Sequence, residues 1–70
     1  MRVKDVIQYL NDDILRNKEY KKRIAEDMKQ DKLNYSYYRG EMLQCEYVIQ
    51  HNNHIIEMLE SCVEVKEAAE

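Results

Sequence analysis

Apolar residues recur in two stripes along this chain. Val3, Ile7, Leu10, Ile14, Ile24 and Met28 form the first. Tyr38, Met42, Cys45, Ile49, Ile56, Leu59 and Val63 form the second. Steps of three and four residues place each stripe on one face of an α-helix. The pattern predicts a helix over about 2–31, a turn at about 32–34 and a second helix over about 35–66. With no proline and a single glycine, Gly40, nothing stops a helix except the stretch Asp31-Lys32-Leu33-Asn34. Asn34 is the N-cap candidate for the second helix, with Ser36 the alternative. The tail Glu67-Ala68-Ala69-Glu70 is expected to fray. Asn11, Asp12 and Asp13 are also cap-type residues and offer a competing helix start. The first stripe runs through them without a change of phase, so one continuous helix is expected.

In heptad notation the first helix places Ile7, Ile14, Lys21 and Met28 at a, and Val3, Leu10, Asn17, Ile24 and Asp31 at d. The second places Tyr35, Met42, Ile49, Ile56 and Val63 at a, and Tyr38, Cys45, Asn52 and Leu59 at d. Val48, Ile55 and Cys62 add a g column to the second helix. Val6 and Tyr20 begin one on the first. Three apolar positions in seven suit a helix with more than one neighbour. A lone hairpin lacks those neighbours. The expected fold is therefore all-α: an antiparallel two-helix hairpin that pairs with a second copy into a four-helix bundle. Val48, Ile55, Cys62, Val6 and Tyr20 are the self-association candidates.

Both stripes break at an asparagine. Folded back, the chain brings Asn17 and Asn52 to about the same height. A buried asparagine in a seam lowers stability and fixes register. Two at one level are able to satisfy each other's amides. The alternative is that Asn17, beside Lys18, Lys21 and Lys22, faces water. Gly40 also has two readings: it permits close approach of a neighbouring backbone or tyrosine, or it marks an uneven helix start.

Charge supports the folding back. Residues 1–35 carry nine Lys/Arg against seven Asp/Glu, and residues 36–70 carry two against seven. Acids at Glu57, Glu60, Glu64, Glu67 and Glu70 oppose the dipole of their own helix. In a hairpin they lie near Arg2 and Lys4. Apolar runs of two residues are far too short to span a bilayer. Asp5 follows Arg2 and Lys4 where a secretory signal requires an apolar run. A cytoplasmic location without membrane attachment is expected.

Cys45 and Cys62 stand about 25 Å apart on one straight helix, beyond disulfide reach. Both are expected to be small core residues. His51, His54 and Glu57 have metal-compatible spacing. The histidines lie opposite the seam, however, and a fourth ligand is missing. No metal or cofactor is expected. Ser36 and Ser61 lack a base and an orienting group, and the glutamate ridge Glu57, Glu60 and Glu64 looks solvated, so no enzyme is expected.

A thinner stripe on the outer side of the second helix, Leu43, Tyr47, His51, His54 and Met58, with Tyr37 as an extension, suits adaptable protein contacts. Tyr37, Leu43, Tyr47, His54 and Met58 are the candidate partner-binding residues. A rival use of the chain is a nucleic-acid regulator built on Arg16, Lys18, Lys22 and Arg23. Interruption by acids argues against nucleic acid as a partner. A third possibility is a purely structural protein that assembles only with itself.

The segment Leu33-Asn34-Tyr35-Ser36-Tyr37-Tyr38-Arg39-Gly40-Glu41-Met42-Leu43, followed by Cys45-Glu46-Tyr47-Val48-Ile49, resembles the second helix of small helical-hairpin proteins of bacteriophages and mobile elements. It has their polar cap, aromatic pair, Arg-Gly and amphipathic run. It departs from them in its tyrosine load and in lacking a proline after the cap. The resemblance covers residues 30–50. It implies a small non-enzymatic protein that binds a host or phage protein, as some inhibitors of host enzymes or defence systems do. That loose class shares no site, so it assigns no functional residue. The expected function is a protein–protein interaction module acting by occlusion through a helix face.

Overall fold

A computed structural model describes the backbone of residues 2–69 and the side chains of residues 2–62. Seam residue Val63 and the acids Glu64, Glu67 and Glu70 lie outside the described side chains. Helix α1 runs Val3–Gln30, a 3-10 turn occupies Lys32–Asn34, and helix α2 runs Tyr35–Ala69. The two helices pack side by side as a rod 58 Å long and 15 Å across. α1 passes through Asn11-Asp12-Asp13 unbroken. α2 continues to Ala69, three residues past the expected end. Two alanines, the strongest helix formers, occupy that stretch.

Local chemistry sets the ends. The Arg2 backbone N–H donates to the Asp5 carboxylate at 3.3 Å, filling one of the open positions of the first turn. The acid also favours the positive end of the helix. At the other end the Asp31 N–H closes the helix on the Asp27 carbonyl at 2.9 Å. Asp31 itself leaves helical geometry, at φ −127° and ψ 79°, and Tyr35 re-enters it. No described residue needs a positive φ, so the turn forms without glycine. A clasp holds it instead. The Asp31 carboxylate accepts from the Asn34 amide at 2.7 Å and from the Tyr38 hydroxyl at 3.2 Å. Asn34, the N-cap candidate, thus directs its amide nitrogen to Asp31. Burial, then the bond to Asp31, pushes the Tyr38 hydroxyl above its usual pKa. Leu33, at the tip, is 98% exposed.

The core is small. Ile14 and Ile24 from α1 and Cys45 and Ile56 from α2 are its buried apolar residues. Ile7, Leu10, Met28, Met42, Ile49 and Leu59 are half-buried along the same seam. Val3 and Tyr35, assigned to the seam by the heptads, are exposed. Each is the first residue of its helix and packs on one side only. Lys21, at a core position, is half-buried. Its ammonium meets the Glu46 carboxylate at 2.8 Å.

A Cβ built on Gly40 meets nothing within 4 Å. The glycine therefore permits no close approach within the chain. Gly40→Ala is expected to stabilise the hairpin by about 0.5–1 kcal/mol, since alanine restricts the unfolded chain and fits the helix. Chemical denaturation followed by circular dichroism measures it; a loss of stability would mean that the position is occupied from outside the chain.

Candidate functional site

The polar layer in the seam has a different centre from the one the asparagines suggest. Asn52 is buried, with 6% of its surface exposed. Its amide nitrogen donates across the hairpin to the Asp13 carboxylate at 2.9 Å. Asn17 is half-buried and donates to the Asp13 backbone carbonyl at 2.8 Å. Its second contact, 3.5 Å, reaches the other Asp13 carboxylate oxygen, which also receives the Arg16 guanidinium at 3.4 Å. Asp13 is thus the hub, and the two asparagines do not pair. Asn17 sits one turn further along α1 than the residue that faces Asn52. Among the described residues no buried side-chain nitrogen or oxygen lacks a partner.

This bond fixes which residues stand opposite. Counting ten back from Asp13 and ten on from Asn52 sets Val3 against Cys62. Cys62, expected in the core, is exposed, because its level is that of Val3, where α1 only begins. Cys45 is buried, and burial followed by the nearby Glu41 carboxylate pushes its thiol pKa up. That opposes thiolate chemistry. Of the self-association candidates, Val6, Val48 and Ile55 are half-buried and Tyr20 is exposed. With Cys62 they share one flank of the hairpin, the flank on which Asp13 lies.

The outer side of α2 forms a second surface. Leu43, Tyr47 and Met58 are each more than half exposed, and His51 and His54 are exposed between them. At 100° per residue these five occupy less than a quarter of the helix circumference over about 22 Å. The Tyr47 and His51 rings stack with centroids 5.8 Å apart and planes 6° apart, which stiffens the middle of the patch. Tyr37 is exposed but stands roughly 40° outside that arc, where it packs edge-on against Tyr38. Glu41 beside it raises the Tyr37 hydroxyl's pKa through a side-chain hydrogen bond. The structure therefore gathers Leu43, Tyr47, His54 and Met58 and leaves Tyr37 at the edge.

Other constellations disperse. Arg16 and Arg23 share one side of α1 while Lys18 and Lys22 share another, with Glu19 and Glu26 between them, so the basic run makes no single strip for phosphates. No group of three His, Cys, Asp or Glu among the described residues has metal-binding geometry. No helix is long and apolar enough to cross a membrane among the described residues.

A third surface, missed by reading stripes on single helices, is a groove between α1 and α2 of about 730 Å³. Leu15, Ala25, Met42 and Ile49 are its apolar lining, and Lys18, Glu19 and Lys22 line it from α1. It opens on the flank opposite Val48 and Ile55. The signal lay in the joint pattern of both helices, once their register is known. No known family model, curated protein or solved structure matches this chain.

Removing the Asp13 carboxylate strands the Asn52 amide. Asp13→Ala is expected to cost about 1–3 kcal/mol, and Asn52→Leu placed on top of it to recover most of that loss. Urea unfolding of the two single variants and the double measures the coupling. Additive effects would contradict the bond.

Proposed function

We propose that this protein is a non-enzymatic interaction module: a helical hairpin that pairs with a second copy and presents the outer face of α2 to another protein. The observation that carries this is the arc of Leu43, Tyr47, His54 and Met58, exposed side by side on one face of a rigid helix. Tyrosine supplies large contact area at low conformational cost, and methionine adapts to irregular surfaces. A partner groove would take the arc as an i, i+4 ladder. The likeness to small phage and mobile-element hairpin proteins adds a mode of action. A hairpin seated on a host enzyme or defence protein acts by covering its working surface. The split of the basic run over two sides of α1 favours this over nucleic-acid binding.

Native purification with quantitative mass spectrometry tests the proposal. The wild type is expected to bring down a defined protein, and Tyr47→Ala with Met58→Ala to lower its recovery roughly tenfold or more while helicity stays intact. Equal recovery with both chains would rule out the outer face as the binding surface.

A further inference from the structure

The groove between the helices has a charge pattern that names its occupant. On α1 the stripe facing that flank reads Lys4, Gln8, Asn11, Leu15, Lys18, Lys22, Ala25, Lys29, four lysines with Glu19 and Glu26 along its outer margin, the latter paired to Lys29 at 3.6 Å. The matching stripe on α2 reads Arg39, Leu43, Glu46, Gln50, Asn53, Glu57, Glu60, with its one cation at the turn end. One half of the flank is mostly basic and the other mostly acidic. The groove floor between them is apolar. Glu46 already reaches across to Lys21 within the chain, while Lys18 and Lys22 at the groove edge are exposed.

Area argues the same way. A folded monomer of this mass, 8.5 kDa, exposes about 4,700 Å². This chain exposes 5937 Å². The excess of roughly 1,200 Å² is ample for a standard interface, which takes about 800 Å² from each partner.

We infer that a second copy of this chain seats on the groove flank, with a two-fold axis parallel to the helices laying α1 of each copy over α2 of the other. This deepens, and rests on, the self-association part of the proposed function, and it moves the pairing face from the flank of Val6, Tyr20, Val48, Ile55 and Cys62 to the opposite one. An axis across the helices would instead set the lysine stripe of α1 against the same stripe of the other copy, and like charges face to face disfavour that pairing. The parallel axis keeps residues at their own heights. By the register that Asp13 and Asn52 set, Lys18 of one copy stands level with Glu46 and Tyr47 of the other, and Lys4 with Glu60 and Ser61. Leu15 and Ala25 close over the apolar floor. The interface is isologous, so each charge pair forms twice. The arc at Tyr47, His54 and Met58 stays mostly outside it, with Leu43 at the shared edge.

A charge-swap experiment tests this. One variant carries Lys18→Glu and Lys22→Glu; the other carries Glu46→Lys, Glu57→Lys and Glu60→Lys. Sedimentation velocity is expected to give a wild-type dimer that weakens with salt, each variant alone dimerising roughly tenfold or more weakly, and a heterodimer on mixing. As a second measurement on a chain with its charges unchanged, a photo-reactive residue in place of Leu15 is expected to cross-link to the segment around Gln50 of the other copy. A wild-type chain that stays monomeric overturns both the inference and the self-association it rests on, including a monomer that binds an acidic peptide. A dimer indifferent to the swaps, or cross-linked elsewhere, overturns the flank and axis alone. Neither result bears on partner capture by Tyr47 and Met58.

Discussion

The Asn52–Asp13 hydrogen bond, together with the clasp at the turn, sets how this hairpin closes. An apolar seam that repeats every seven residues fits nearly as well when one helix slides by a heptad. The small core of Ile14, Ile24, Cys45 and Ile56 offers little resistance to such a slip. A buried amide does resist, because it must keep a partner. Sliding by one heptad would set Asn52 against Val6 or Tyr20 in place of Asp13. Val6 offers no side-chain acceptor, and Tyr20 is exposed at the surface. The bond is 2.9 Å long and joins residues 39 apart in sequence. The heights of every surface feature on the two helices follow from it.

The helices were legible in the chain because their apolar period is nearly unbroken and only one stretch can turn. The outer arc was legible for the same reason, since heptad phase separates seam from surface. The hub was not. Asp13 belongs to a run of cap-type residues, and a carboxylate in a g column reads as solvated. Nothing in a single-helix pattern says that it reaches over the seam. Asn17 and Asn52 were visible as breaks, but their shared height was inferred by matching stripes, and the true offset is one turn. Cys62 was misjudged on similar grounds: its phase is apolar, but its level lies beside the first residue of α1. Gly40 faces open space, which its position in the chain does not reveal.

Three surfaces of different chemistry surround one narrow seam. The flank with Val48 and Ile55 is apolar but carries the Asp13 hub. The opposite flank is a groove divided into basic and acidic halves, a pattern that discriminates between pairing modes better than a uniformly apolar face does. The outer face of α2 combines Leu43, Tyr47, two histidines and Met58. A rod with so small a core presents these surfaces over most of its length.

The most direct test of the register is the set of proton–proton contacts made by the Asn52 side-chain amide in solution. Nuclear Overhauser spectra are expected to connect that amide to protons of Asp13 and its neighbour Ile14. Contacts to Val6 or Tyr20 instead, or no contact with α1 at all, would contradict the closing of the hairpin on Asp13.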